Sequence, residues 1–132
     1  GILSTTAPQL TIDRSFDTVE LALASGASFV ARTTAYHVRE ITKLMTKAIA
    51  HQGFSVVEIL SQCPTHFGRK NKLGDAAAML EYFKTRTTPI GSKAKEKDPG
   101  LIERGIFREA DTPEYCAAYD RTIAKAQKVV TL

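Results

Sequence analysis

The sequence has no tryptophan and only two cysteines, Cys63 and Cys116. Two cysteines are too few for a framework of disulfides, which favours a reducing compartment, and we expect the cytoplasm. No apolar run approaches the roughly 18 residues of a membrane span, and no charged segment followed by an apolar one opens the chain, so we expect no membrane partner. Glycine-rich phosphate loops are missing as well, and no Ser-His-Asp arrangement is indicated.

The residues that are present have the composition of a globular domain. The 132 residues fit one domain, and the shares of 43% hydrophobic and 24% charged residues argue against a disordered or fibrous chain. Eighteen basic residues against fourteen acidic ones give a net charge of +4. This mild excess favours acidic partners, but it does not indicate a nucleic-acid partner, and we expect none.

The first half of the chain contains a strand, a helix and a second strand. Apolar spacing predicts a helix at about 17–25, a short strand at 27–32 and an amphipathic helix from about 37 to 51. The nearly continuous apolar run at 54–60 is typical of a buried parallel strand. This order predicts a βαβ unit with two parallel strands, and therefore an α/β fold with flanking helices.

The remaining segments have weaker patterns. A stretch rich in serine, threonine and proline opens the chain and predicts a loop, and a second loop is predicted at 61–72. A helix is predicted at about 74–84, a short strand at 104–107 and a last helix from 111 to about 129. Prolines, glycines and a charge run predict that 85–101 is a mobile loop.

The two strands of the predicted βαβ unit are too few for a parallel sheet. Each strand of such a sheet needs partners at its edges, and a typical sheet has about 5–6 strands. We therefore expect Ala27–Arg32 and Phe54–Leu60 to pair with strands from outside residues 1–132. On this reading the chain is a single segment that is incomplete on its own.

The loop after the second predicted strand is the first candidate site. Ligands of open parallel sheets bind beyond the carboxyl ends of the strands, where this loop places Cys63, Pro64 and a group of cations. The Cys63 thiol could hold a metal or an iron–sulfur cluster, or act as a nucleophile, and the basic residues downstream are expected to favour its thiolate. The alternative is a packed cysteine near a strand end, in a structural α/β module or in a small basic module that binds an anionic partner.

A family resemblance favours the cluster. The run Gly53–Thr65, followed by Phe67–Asn71, resembles the β subunit of 2-oxoacid:ferredoxin oxidoreductases, particularly the 2-oxoglutarate type. Gly26–Arg32 is similar to the preceding strand of that family, and Thr112–Tyr115 is similar to the start of its C-terminal helix. The resemblance covers the chain from about Thr5 to Lys128, and its most specific element is the strand with the Cys-Pro-Thr sequence that follows it.

The resemblance implies a cofactor-dependent oxidoreductase. Such a β subunit has a parallel-sheet fold that binds thiamine diphosphate and Mg²⁺, and it carries a 4Fe–4S cluster. With an α subunit it decarboxylates a 2-oxoacid, transfers the acyl group to coenzyme A and passes electrons to ferredoxin. Only Cys63 carries over as a cluster ligand. This chain has no Gly-Asp-Gly motif, no asparagine that could complete a Mg²⁺ site and no Cys-x-x-Cys, so it matches the C-terminal portion of such a subunit and is expected to be inactive without the remainder.

Other polar residues have simpler interpretations. Three cations beside the cluster loop are expected to dock acidic ferredoxin: Arg69, Lys70 and Lys72. We expect a packed thiol at Cys116 and solvated helix ends at His37 and His51. Glu58 is expected to contact a nearby cation or a backbone group rather than to act as a catalytic acid. A non-redox fragment of a thiamine enzyme remains a further alternative to the oxidoreductase.

Overall fold

Within residues 2–130, which are the part of the chain that the computed structural model describes, four strands alternate with six helices. The strands are β1 (Phe29–Thr34), β2 (Ser55–Leu60), β3 (Thr87–Pro89) and β4 (Ile102–Glu109). The helices are α1 (Thr18–Ala24), α2 (Val38–Ala50), α3 (Arg69–Asn71), α4 (Ala76–Thr85), α5 (Lys93–Lys97) and α6 (Tyr115–Val130), and a π-helical turn at Pro64–Gly68 precedes α3. The predicted segment 1–132 also includes Gly1, Thr131 and Leu132, which lie outside the described residues.

The four strands form one mixed sheet in the order β2-β1-β4-β3. Strands β1 and β2 are parallel, and their register runs from Phe29 opposite Ser55 to Thr34 opposite Leu60. Strand β4 lies antiparallel on the other side of β1, and β3 is parallel to β4. The predicted α/β fold with a βαβ core is therefore confirmed.

The prediction about strand edges is wrong for β1. Both edges of β1 are occupied within the chain, by β2 and by β4, so no outside strand can pair with it. Only 104–107 was predicted as a strand, because β4 is half-buried, carries charged residues and contains Gly105, and its pattern is therefore weak. Within residues 2–130 the outer edge of β2 has no partner strand, and its pairing with an outside strand stays a prediction.

Strand β1 is the buried centre of the molecule. Phe29, Val30 and Ala31 are fully buried, and successive side chains of a strand point to opposite faces of the sheet. Val30 packs with Val19 of α1, whereas Phe29 and Ala31 pack with Leu44 of α2. Helices α1 and α2 thus cover opposite faces of the sheet, which gives the usual layered α/β arrangement.

Helix α1 is fastened to the sheet by charged groups. The carboxylate of Asp17 caps the helix by accepting hydrogen bonds from the amides of Val19 and Glu20. The same carboxylate lies 2.6 Å from the guanidinium of Arg32, which also pairs with Glu58. Of the two kinds of partner predicted for Glu58, a cation or a backbone group, the structure shows a cation.

The segment 85–101 was predicted to be a mobile loop, but part of it has regular secondary structure; its mobility stays a prediction. It contains strand β3 and the short helix α5, and β3 pairs with β4 in register. The guanidinium of Arg86 lies 2.9 Å from Asp98, and the ammonium of Lys95 donates hydrogen bonds to the carbonyls of Pro99 and Leu101. Polar contacts thus connect the parts of this segment, and because it buries few apolar side chains, its composition alone did not reveal its strand and helix.

None of the helices within residues 2–130 is long and apolar enough to cross a lipid bilayer.

Candidate functional site

The carboxyl ends of β1 and β2 lie side by side and define the candidate edge. Thr34 and Leu60 are the last paired residues, and the amide of Ala35 donates to the carbonyl of Leu60 at 2.8 Å. Cys63 follows the end of β2 after Ser61 and Gln62. The structure therefore places the thiol beyond the edge of the sheet where the loops of parallel strands gather.

Cys63 begins a tight turn that we name the thiol turn (Cys63–Gly68). The amide of Gly68 donates to the carbonyl of Cys63 at 2.9 Å and closes the turn. Gly68 is buried, and a Cβ atom added to it would lie 2.6 Å from Sδ of Met79 in α4. The turn is therefore in close contact with α4, and this contact holds it against the rest of the fold.

The thiol of Cys63 is exposed, and its surroundings favour the thiolate. The backbone amide of Phe67, followed by those of His66 and Thr65, lowers the pKa of the Cys63 thiol, because amides directed at the sulfur stabilise its negative charge. This effect was expected from the basic residues downstream, but the amides of the thiol turn produce it. An exposed thiol with a lowered pKa is suited to bind a soft metal or to act as a nucleophile.

The described residues do not form a complete metal site by themselves. Between residues 2 and 130 no group of three or more histidine, cysteine or carboxylate side chains is arranged to hold a metal ion. A 4Fe–4S cluster is held by four cysteines in its common form. Cys63, exposed and unpaired, fits one corner of such a cluster, and the other ligands would have to come from outside this part of the chain.

Three cations lie directly after the thiol turn and form what we name the basic patch (Arg69, Lys70 and Lys72). All three side chains are exposed, and in the described part of the chain none of them is in an ion pair. The uncompensated charges can therefore interact with an acidic surface near Cys63.

The N-terminal loop (Ile2–Thr11) contacts the same region, which the sequence did not indicate. The loop closes on itself where the amide of Thr11 donates to the carbonyl of Ile2 at 3.0 Å. Oδ1 of Asn71 accepts a hydrogen bond from the amide of Leu3, and its Nδ2 donates to the carbonyls of Leu3 and Phe67, each at 2.9 Å. No local pattern of the sequence could have indicated this contact, because it joins residues 68 positions apart.

The second cysteine is not packed, contrary to the prediction. Cys116 is exposed, and the stacked rings of Tyr115 and Tyr119 on the same helix are also exposed. The carboxylate of Glu114 accepts a hydrogen bond from the amide of Cys116 and raises the pKa of its thiol. The prediction failed because we took the apolar spacing of α6 as a sign of burial. Within residues 2–130 no other segment covers the apolar side chains of this helix.

The two histidines at the ends of α2 are half-buried rather than solvated. Nδ1 of His37 lies 2.8 Å from Oγ1 of Thr34, and Nε2 of His51 lies 2.8 Å from Oγ of Ser28. Burial, with a further contribution from Arg104, lowers the pKa of His37. Each histidine therefore anchors one end of α2 to one end of β1, and the structure does not bring them together at a site.

The chain matches known proteins along most of its length. It is 39% identical over 120 residues to the 2-oxoglutarate synthase subunit KorB of Methanothermobacter marburgensis, a match that covers 88% of this chain and 42% of the relative. It is 33% identical over 129 residues to KorB of Methanocaldococcus jannaschii, covering 95% of this chain and 47% of that protein. No family model matches the chain.

A solved structure has the same fold. The 2-oxoglutarate:ferredoxin oxidoreductase from Magnetococcus marinus, solved with 2-oxoglutarate, coenzyme A and succinyl-CoA bound, matches with a TM-score of 0.72 and 20% identity. The match covers 98% of this chain and 44% of the matched one. At this identity the likeness concerns the fold.

Together the fold and the matches define a segment of an oxidoreductase subunit. The chain belongs to the family of 2-oxoacid:ferredoxin oxidoreductase β subunits and corresponds to the C-terminal part of such a subunit, as the resemblance indicated. It spans less than half the length of the KorB relatives.

Proposed function

We propose that the full-length subunit takes part in the oxidative decarboxylation of a 2-oxoacid, and that this acid is 2-oxoglutarate. In this reaction an α subunit assists, the acyl group is transferred to coenzyme A, and the electrons pass through a 4Fe–4S cluster to ferredoxin. The named activity of the KorB relatives supports the choice of 2-oxoglutarate. Coenzyme A bound in the related structure supports the choice of acceptor.

The thiol of Cys63 carries this proposal. Iron in a cubane cluster requires a soft, deprotonated sulfur ligand, and the thiol turn presents an exposed sulfur whose pKa the turn amides lower. The short distance along the chain from the end of β2 limits how far this sulfur can move. The exposed thiol also argues against the alternative of a structural or basic binding module with a packed Cys63.

The other cofactors belong mainly to the remainder of the subunit. Thiamine diphosphate with Mg²⁺ supplies the carbanion chemistry of decarboxylation, and a 4Fe–4S cluster accepts single electrons. The contribution of this chain is to hold one cluster ligand and to present the edge of the sheet against the remainder of the subunit. We expect the assembled enzyme in the cytoplasm, because both cysteines of this chain are free thiols.

The basic patch is proposed to dock ferredoxin. Its three exposed cations directly follow the thiol turn, so an acidic carrier bound there would lie near a cluster held by Cys63. Charge complementarity of this kind mainly raises the association rate.

Cys63→Ser in the full-length subunit, coexpressed with its α subunit, tests the proposal. We expect the variant to lose most of its iron and acid-labile sulfide and the visible absorption of the cluster, because a serine hydroxyl is a harder and less readily deprotonated ligand. Cys116→Ser is the matched control, since Cys116 is also exposed, and it should keep the full iron content. Full iron content and an unchanged spectrum in Cys63→Ser would overturn the proposal.

A further inference from the structure

The thiol turn is joined to a distant part of the chain through one side chain. Asn71 lies at the end of α3, and its amide group contacts Leu3, a residue 68 positions away. Among the described residues, no other hydrogen bond of the N-terminal loop reaches the thiol turn or α3. The position of the thiol turn relative to this loop therefore depends strongly on Asn71.

Both the oxygen and the nitrogen of the Asn71 side-chain amide make hydrogen bonds. Oδ1 accepts from the amide of Leu3, and Nδ2 donates to the carbonyl of the same residue, each at 2.9 Å. The side chain thus pairs with Leu3 as a neighbouring strand would, and the pairing fixes which atom is oxygen and which is nitrogen. The second proton of Nδ2 goes to the carbonyl of Phe67, at 2.9 Å.

Phe67 is the residue through which Asn71 acts on Cys63. The turn amides from Thr65 to Phe67 are directed at the Cys63 sulfur, and the amide of Gly68 is bonded to the Cys63 carbonyl. A bond to the Phe67 carbonyl therefore restrains the same peptide units that define the turn. On its opposite side the turn is held by the contact between Gly68 and Met79.

We propose that Asn71 is a positioning residue, which locks the thiol turn to the N-terminal loop and so sets where Cys63 presents its sulfur to the cluster. This inference rests on the proposed role of Cys63 as a cluster ligand. Leu3 and Asn71 lie 68 positions apart, so these hydrogen bonds fix the position of Cys63 relative to a distant segment of the chain. A loss of the lock should leave the cluster able to form but less firmly held.

Three substitutions of Asn71, made in the full-length, assembled enzyme, remove its hydrogen bonds to different extents. Asn71→Leu has nearly the same shape and makes none of the three hydrogen bonds, whereas Asn71→Asp can accept from Leu3 but cannot donate to either carbonyl. Asn71→Gln keeps both functional groups and should restore part of the effect. Asp75→Ala is the matched control, because the side chain of Asp75 caps α4 nearby and accepts a hydrogen bond only from the amide of Ala78, within the same helix.

Two readouts separate positioning from general stability. We expect hydrogen exchange at the amides of Leu3 and of the thiol turn to quicken about tenfold in Asn71→Leu, which corresponds to the loss of one or two ordinary hydrogen bonds. Release of cluster iron to a chelator should quicken by a similar factor, and the electron paramagnetic resonance spectrum of the reduced cluster should change. The order of severity should be Leu, Asp, Gln, with Asp75→Ala unchanged in both readouts.

The outcomes distinguish this inference from the proposed function. If Cys63→Ser loses the cluster but Asn71→Leu matches the wild type in iron release and resonance spectrum, Asn71 does not position the ligand. The same conclusion follows if Asp75→Ala alters the cluster as strongly as Asn71→Leu, because the effect would then be general loosening. If Cys63→Ser keeps its cluster, the proposed function fails, and faster exchange in Asn71→Leu would show only a structural link.

Discussion

Arg32 joins α1 to both parallel strands, and its removal tests how firmly the centre of the sheet is held. Its Nη2 lies 2.6 Å from Oδ1 of Asp17, and its Nε pairs with the carboxylate of Glu58. The guanidinium carbon also lies 5.6 Å from the centroid of the Phe107 ring. Only 12% of the Arg32 side chain is exposed, so these interactions are largely shielded from solvent.

The size of the effect follows from what the substitution leaves behind. Arg32→Met keeps much of the apolar length of the side chain but leaves the carboxylate of Glu58, which is 19% exposed, without its cation. Removal of one partner of a buried ion pair costs about 3–5 kcal/mol. Because Asp17 is 47% exposed and the hydroxyl of Thr18 still donates to Glu58, the expected cost is lower. We expect about 2 kcal/mol.

Native-state hydrogen exchange of the full-length subunit measures this cost. Some amides of β1 and β2 exchange only when this region of the sheet opens. If the free energy of that opening falls by about 2 kcal/mol, these amides should exchange roughly 30-fold faster. The double variant Arg32→Met/Glu58→Leu removes both charges and should recover much of the protection, because no carboxylate is then left unpaired. Unchanged exchange in Arg32→Met, or a further loss in the double variant, would refute the reasoning.

Two further predictions concern charge. Burial alone would raise the pKa of Asp17, but hydrogen bonds from the Glu20 amide and from Arg32 outweigh it and lower that pKa from its ordinary 3.8. The ionised Asp17 carboxylate therefore stabilises the folded state fully above this ordinary value, and the stabilisation is lost as the pH falls through the lower folded-state pKa. In Asp17→Asn, the free energy of unfolding, followed by circular dichroism, should fall less steeply at acid pH than in the wild type. An unchanged dependence on acid pH would contradict this. Replacement of the basic patch by glutamines should slow association with ferredoxin in stopped-flow measurements at low salt, and the difference should vanish near 1 M salt, where the Debye length is about 3 Å. The control is Lys125→Gln on α6, and equal rates at low salt would leave the patch without a docking role.

Local patterns in the sequence were sufficient to predict the βαβ unit at the centre of the fold. Apolar periodicity predicted the βαβ unit, since burial on one helix face or on both strand faces leaves a direct trace in residue order. Asp17 caps the first turn of α1, and such a cap is a local signal because it depends on the residues at the helix terminus. The position of Cys63 beyond β2 followed in the same way from the order of the elements.

The sequence predicted which residues of the candidate site follow one another along the chain, but not how they are arranged in space. The sequence placed Cys63 and the basic patch in one loop, and the structure has them in consecutive turns. The cause of the lowered pKa of Cys63 was misassigned, because the direction of the amides of Phe67 and His66 depends on the π-helical shape of the turn. The contact between Asn71 and Leu3 left no trace in any local pattern, since it joins residues 68 positions apart.

Residue order thus accounts for α1, α2, α4 and α6, for the two parallel strands, for the placement of Cys63 and for the family, because each depends on local spacing or on a contiguous motif. The three-dimensional arrangement accounts for the rest. Insertion of β4 beside β1, the order within 85–101 and the exposure of Cys116 all depend on which distant segments meet. A half-buried strand or a helix face has the same local pattern whatever segment covers it. The pattern depends only on where the apolar side chains lie along the chain, and not on the segment that packs against them.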